Sequence, residues 1–412
     1  IMRISIKKGN SLRITGPASG KLISGKIKIL GTYFDIFTVP PFKGIGVYAE
    51  DDSQIELTDS EFVIKEGDTI PKEWYSFAEQ LRDDKVIMVI GAPDTGKSYF
   101  TAFLANMCLH KFAKVAIVNS DVGQSDIGPP TIIGLTVMDK PIQNLSQLSI
   151  YDAYFVGSIT PTAHLLPMVI GTKKMVEKGL ELAQIVIVNT TGMVYGGAAR
   201  ALKKYKIEAV QPDILVAIMR GKELSHILST IRKPKPVILP SPVEAIMSRN
   251  REDRIMIRSL LYKKHFENAR ILTLDFREIP IFGGFFRTGK KLEHDELEKI
   301  SKKIETKVIY GEKAPDSLWL ITEEYVPPKV VAQQLECQEQ VILHTPLSIQ
   351  GLLLGIYAND RFQGLGILKN IDFVSGKIEI LTPAKICEYI VLGHTILGQE
   401  YKEIAVLNPG QI

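Results

Sequence analysis

The sequence predicts an α/β protein: a central domain with a parallel sheet, flanked by small β-rich N- and C-terminal domains. Three observations predict it. Short apolar runs recur at Val86–Ile90, Val115–Val118, Ile185–Val188 and Ile214–Ile218, separated by helix-length segments. Continuous rather than alternating apolar runs suit strands buried on both faces of a parallel sheet. On either side of this region the pattern is strand-like and punctuated by glycine and proline. The expected divisions are residues 1–70, 71–275 and 276–412.

The elements follow in order. In residues 1–70, Lys21–Leu30 and Gly44–Ala49 alternate or are β-branched, with Gly16, Gly20, Gly25, Gly31 and Pro40-Pro41 between them, and helical periodicity is absent. Pro71–Leu81 reads as a helix whose proline suits its start. Ser98–Phe112, Leu165–Leu182 and Ala198–Lys206 read as the helices between the buried strands, which makes the domain α/β. Residues 242–265 read as a further helix. After Asp275 the helical signals thin out. Glu293–Lys307 reads as one more helix, and Leu347–Leu381 as strands that include Gly351–Tyr357 and Lys377–Leu381.

Composition narrows the function classes. A chain of 412 residues exceeds one ordinary domain, and 45% hydrophobic with 23% charged residues is the balance of a soluble globular protein. No apolar stretch approaches the roughly 20 residues a membrane helix needs, and Ile1–Ser5 alternates polar and apolar without a signal-peptide core. A cytoplasmic protein with no membrane partner is expected. Cys108, Cys337 and Cys387 lie far apart, in neither CxxC nor zinc spacing, and are expected to be inert thiols. A net charge of +4 does not by itself announce a nucleic-acid binder.

The run Gly91-Ala92-Pro93-Asp94-Thr95-Gly96-Lys97-Ser98 has the form GxxxxGKS, after a strand and before a helix. That is the context a P-loop requires, so the central unit is read as a P-loop NTPase domain. The glycines let backbone amides turn toward phosphate oxygens, and the helix N-terminus adds its positive end. Gly91, Pro93, Asp94, Thr95, Gly96, Lys97, Ser98 and Tyr99 are the expected contacts to ATP. Lys97 would sit on the β- and γ-phosphates, and the Ser98 hydroxyl would ligate Mg²⁺. No Asn-Lys-x-Asp motif occurs, which weakens a GTPase reading.

Strand Val115–Val118 leads into Asn119-Ser120-Asp121-Val122-Gly123-Gln124-Ser125-Asp126, followed by Gly128-Pro129-Pro130. An aspartate at the carboxyl end of a strand beside the P-loop strand lies where ligands bind in open α/β sheets. Asp121 could take a proton from an attacking hydroxyl, or hold Mg²⁺ through water. Asp126 reads as a cap or turn residue.

Together these segments resemble the Clp1/Grc3 family of polynucleotide 5′-hydroxyl kinases. Tyr154-Phe155-Val156-Gly157-Ser158-Ile159-Thr160-Pro161 resembles the family's clasp, which reaches over the P-loop. Val188-Asn189-Thr190-Thr191-Gly192-Met193-Val194 resembles its Asn-Thr-x-Gly-Trp segment, and Arg249, Arg254 and Arg258 resemble its lid arginines in type and spacing. The resemblance implies a kinase that uses ATP and Mg²⁺ to phosphorylate the 5′-hydroxyl of RNA, with DNA as a second candidate. Lys97, Asp121, Arg254 and Arg258 would be catalytic. Gln124, Thr160, Met193 and Arg249 would contact substrate. Two positions depart from the family pattern. Asn119 stands where an aspartate is frequent, which leaves Asp121 as the sole carboxylate of the pair. Met193 stands where tryptophan stacks a base, and methionine stacks less strongly.

The arginine segment holds the chain's charge excess. Across Arg249–His265, Arg249, Arg251, Arg254, Arg258, Lys263 and Lys264 face only Glu252 and Asp253, an excess of four that equals the whole chain's. Arg254 and Arg258 are four apart on one helix face, in a form suited to bidentate phosphate contacts. The segment is read as a mobile lid. The basic runs Lys203-Lys204-Tyr205-Lys206 and Arg232-Lys233-Pro234-Lys235 read as solvated surface, and none of the seven histidines shows ligand spacing. Besides the kinase, the sequence admits a non-catalytic ATP-binding scaffold of an RNA-processing complex and a small-molecule kinase or ATPase.

Overall fold

The computed structural model of the chain describes residues 1–58, 60–242 and 249–412. Two compact units emerge, one of residues 1–154 with 165–257, the other of residues 155–164 with 258–412. No helix among the described residues is long and apolar enough to cross a membrane.

The first unit begins as expected with short strands. They form a four-stranded antiparallel sheet (Met2–Ile6, Ser53–Leu57, Ala18–Ser24, Ile36–Val39) and a five-stranded one centred on Gly44–Ala49 and Asn10–Thr15. Gly25, at φ 92°, breaks the expected strand Lys21–Leu30 into Ala18–Ser24 and Ile27–Ile29. Inward residues such as Ile4, Ile6, Leu12, Ile14 and Val47 are buried, the alternation that a half-exposed sheet produces.

Helix Lys72–Gln80 starts directly after Pro71. It packs Trp74 edge-on against Phe100 at 4.8 Å between centroids, and Trp74 Nε1 donates to Pro240 O at 2.9 Å. Phe100 and Phe103 lie on the helix Lys97–Cys108, so one apolar core joins the N-terminal strands to the P-loop helix.

The central sheet has seven strands in the order Asp152–Phe155, Ile132–Met138, Val115–Ser120, Ile185–Thr190, Val86–Gly91, Ile214–Met219, Val237–Pro240. The four strands expected from apolar runs all pair parallel at its centre. Two details differ from expectation. Ile132–Met138 runs antiparallel to Val115–Ser120. Strand Ile185–Thr190 lies between the P-loop strand and the strand that ends before Asp121, so those two are not neighbours. Strand order is a tertiary choice that apolar runs do not encode. Helices Leu165–Leu182 and Gly197–Val210 match the expected pair within a few residues. Helix Arg251–His265 covers most of the expected 242–265, while residues 243–248 lie outside those described.

The second unit holds a seven-stranded sheet in which Leu352–Ala358 pairs antiparallel with Arg361–Asp372 and with Tyr389–Leu397. A four-stranded sheet is packed by helices His294–Ile304 and Pro328–Leu335. The second of these helices was not expected. Pro327 caps it and Pro328 is its first residue, and a proline at the first helical position favours a helix start. Segment 155–164 is held in this unit by Tyr357 Oη, which accepts from Phe155 N at 2.9 Å, and by Gly157 O, which accepts from His394 N at 2.7 Å.

Candidate active site

The P-loop forms where strand Val86–Gly91 ends and helix Lys97–Cys108 begins. Its glycines are required by contact and by backbone. A Cβ on Gly91 would lie 2.6 Å from Thr95 Oγ1 and 2.9 Å from Ile218 O. Gly96 caps the helix at φ 95°, a region that side chains disfavour. Lys97 is buried and folds back on the loop, its Nζ donating to Ala92 O at 2.7 Å, where Thr95 Oγ1 also donates at 2.9 Å. Burial lowers the Lys97 pKa to about 8, against the pull of Asp121, Asp94 and Asp126. Lys97 and the unpaired amides of the first helical turn together suit a polyphosphate.

Asp121 follows strand Val115–Ser120. Its Oδ1 accepts from Gly123 N at 3.2 Å and Gln124 N at 3.0 Å, a turn that fixes the carboxylate. One cavity is lined on its polar side by Lys97, Ser98, Asp121, Gln124, Asp126 and Arg249, and on its apolar side by Leu30, Phe42, Ile45, Ala102 and Leu145. Pro93, Asp94, Gly96 and Tyr99 line it as well. The Tyr99 hydroxyl accepts a long bond from Gly46 N at 3.4 Å.

Asn119 is fully buried. Its Nδ2 donates to Ser125 Oγ at 3.1 Å, and its Oδ1 accepts from Asn189 Nδ2 at 3.0 Å, which also lies 3.2 Å from Ser98 Oγ. The strand inserted between the two site strands thus ties Ser98 to Asn119.

Asp126 is more than the turn residue expected. It is buried and ion-paired to Lys43, and it lines the same cavity as Ser98. Burial pushes its carboxyl up, but Lys43 and Arg249 and the hydrogen bonds from Lys43 and Ser98 outweigh burial and hold it below the usual carboxylate range. Sequence reasoning missed this because Lys43 is 83 residues away. Ser98 beside a buried carboxylate is a hard-oxygen setting that fits Mg²⁺. Among the described residues no group of three or more His, Cys, Asp or Glu is placed to hold a metal alone, so phosphate oxygens would complete its shell.

The arginines divide. Arg249 Nε donates to Phe42 O at 3.2 Å on the cavity wall. Arg254 pairs with Asp94 of the P-loop at 3.0 Å, and its Nε is buried without a hydrogen-bond partner. Arg258 belongs to the second unit and makes a bidentate pair with Glu403, at 2.6 and 2.7 Å. Thr160 also belongs to the second unit, where its N donates to Ser158 Oγ at 3.2 Å. Met193 is half-buried and follows Gly192, a cavity residue with no room for a Cβ beside Pro93. Lys203 and Lys206, expected as solvated surface, are instead fully buried. Helix Gly197–Val210 packs the face that carries them inward, where Lys203 meets the end of strand Ile185–Thr190 and Lys206 meets Ser120, 86 residues away.

Residues 91–268 match the family described as mRNA cleavage and polyadenylation factor CLP1 P-loop. The chain is 32% identical to the polyribonucleotide 5′-hydroxyl-kinase of Pyrococcus horikoshii, over 82% of this chain and 94% of that one. It is 33% identical to the enzyme of the same name from Methanocaldococcus jannaschii, over 76% and 87%. Its fold is similar to that in the solved Clp1p–Pcf11p complex, with a TM-score of 0.65 and 14% identity, over 96% of this chain and 97% of that one. With its P-loop, its Asp121 turn and relatives alike over most of their length, the chain belongs to the Clp1/Grc3 family of polynucleotide 5′-hydroxyl kinases.

Proposed function

We propose that the chain transfers the γ-phosphoryl group of ATP to the 5′-hydroxyl end of RNA, with DNA as a second candidate substrate. The observation that carries this reading is Asp121, fixed by two backbone amides on the same cavity wall as Lys97, Ser98 and Arg249. Asp121 orients the hydroxyl and takes its proton as the oxygen bonds to the γ-phosphorus, and ADP departs as the bond to the β–γ bridging oxygen breaks. Lys97 and Arg254 face the developing charge, which preorganised cations stabilise strongly. Ser98 would hold Mg²⁺, whose chemistry is to neutralise the β- and γ-oxygens. Gln124, Arg249, Met193 and Thr160 are assigned to the substrate strand, and Leu30, Phe42 and Ile45 to the flat face of adenine. The divisions at residues 70 and 275 and a cytoplasmic setting belong to the same proposal.

The test is phosphorylation of 5′-hydroxyl RNA and DNA oligonucleotides by ATP and Mg²⁺. Wild-type chain should yield 5′-phosphate, and Asp121→Ala should retain ATP binding while losing transfer by at least about a hundredfold, the usual scale for a general base. Normal transfer by Asp121→Ala would remove the mechanism. The alternative, a non-catalytic ATP-binding scaffold, draws on Arg258, which is engaged by Glu403 rather than open to a phosphate. Recovery of intact ATP with no oligonucleotide phosphorylated would favour it.

A further inference from the structure

Helix Gly197–Val210 carries two lysines that are 1% and 0% exposed, Lys203 and Lys206. Lysine is rarely buried to this extent, because an ammonium group loses its hydration there. Both side chains end at the residues that build the nucleotide site. Lys206 Nζ donates to Ser120 Oγ, on the residue directly before Asp121. Ser120 Oγ in turn lies 2.7 Å from Thr172 Oγ1, which donates to Met168 O at 2.6 Å. Lys203 Nζ donates to Thr190 Oγ1 at 2.9 Å and to Thr191 O at 2.5 Å. The next residue, Gly192, abuts the P-loop so closely that a Cβ would lie 2.9 Å from Pro93 N. Asp121 faces both lysines, and Lys206 and Lys97 face Lys203.

Apolar side chains would fill such positions at less cost in stability, which points to a role in the site. We propose that Lys203 and Lys206 are positioning residues for phosphoryl transfer, a buried cationic pair behind the nucleotide site that sets Asp121 through Ser120 and the P-loop contact through Thr191, and that gains positive charge when the triphosphate binds. The kinetic part rests on the kinase reading, and the charge part on the nucleotide site alone. Burial lowers Lys206 to about 7 and Lys203 well below the ordinary lysine range. Above neutral pH their protons are loosely held, and a nearby polyphosphate favours the charged form.

The test uses the full chain with Lys203→Met, Lys206→Met and Ser120→Ala. Calorimetric titration with Mg²⁺ and a non-hydrolysable ATP analogue near pH 8, in two buffers of different ionisation enthalpy, counts protons taken up. Each methionine variant should take up fewer protons than wild type. It should melt no lower than wild type, keep KM for ATP within about threefold and lose about tenfold or more in kcat. Unchanged proton uptake and kcat in a folded variant would overturn the proposal, as would a loss of kcat that only tracks a lower melting temperature. Should a methionine variant fail to fold, Ser120→Ala, which keeps the lysine but cuts its link to Asp121, decides the case. Reduced kcat at constant KM supports the link, and wild-type kcat refutes it. A wild-type chain that takes up protons yet phosphorylates no oligonucleotide would sink the kinase reading and leave the cationic pair standing.

Discussion

Lys43→Met removes the cation that faces Asp126 and leaves a buried carboxylate beside Ser98. The two side chains are 21% and 8% exposed. Removing one partner of a buried ion pair costs about 3–5 kcal/mol. Lys43 keeps some solvent contact and Arg249 still faces Asp126, so the expected loss is about 2–3 kcal/mol. For a transition of this size that corresponds to a fall in Tm of roughly 4–12 °C. The double variant Lys43→Met/Asp126→Asn, which retains neither charge, should recover most of the loss. The sign with pH follows from Asp126, whose folded pKa is depressed. Its contribution is fully present above the ordinary carboxylate value near 4 and is lost as pH falls through the depressed value. In Lys43→Met the unpaired carboxylate takes a proton more readily, so the gap to wild type is widest near neutral pH and narrows on acidification. Calorimetry of both proteins from about pH 7 to about pH 3 measures this. A single variant as stable as wild type, or a double variant no better than the single, would show that Lys43 does not stabilise Asp126.

Two further outcomes follow from contacts in the structure. Gly91→Ala places a methyl group 2.6 Å from Thr95 Oγ1 and 2.9 Å from Ile218 O. The loop must shift, and equilibrium binding of a fluorescent ATP analogue should weaken at least about tenfold, a loss of about 1.4 kcal/mol; unchanged affinity would show that the loop absorbs the methyl. Glu403→Gln breaks a pair whose side chains are 12% and 9% exposed and should cost roughly 3 kcal/mol in denaturant titration, whereas a loss below about 0.5 kcal/mol would class the contact with exposed pairs.

Much of the chemistry was legible because it is local. Gly91, Gly96, Lys97 and Ser98 are specified by a turn of a few residues, and Asp121 is fixed by the amides of Gly123 and Gln124 in its own loop. The apolar runs marked the central strands for the same reason, since burial on both faces leaves no polar positions within the run. Where the structure differs from the sequence pattern, the deciding contact is set by the fold. Asp126 passed for a turn residue because Lys43 is not near it in sequence. Lys203 and Lys206 passed for surface because a lysine-rich run normally is, and only the packing of helix Gly197–Val210 against the sheet turned them inward.

Residue order alone marks a triphosphate loop at the end of a buried strand and a carboxylate at the end of another. Those features depend on residue size, backbone freedom and short-range hydrogen bonds, which neighbouring residues supply. It takes the folded chain to place Ile185–Thr190 between the two site strands, to pair Asp126 with Lys43, to bring Arg254 to Asp94 while Glu403 holds Arg258, and to set Lys206 against Ser120 behind Asp121. Ion pairing and burial depend on distance in space, which strand order and helix packing set, and no local pattern of residues carries that information.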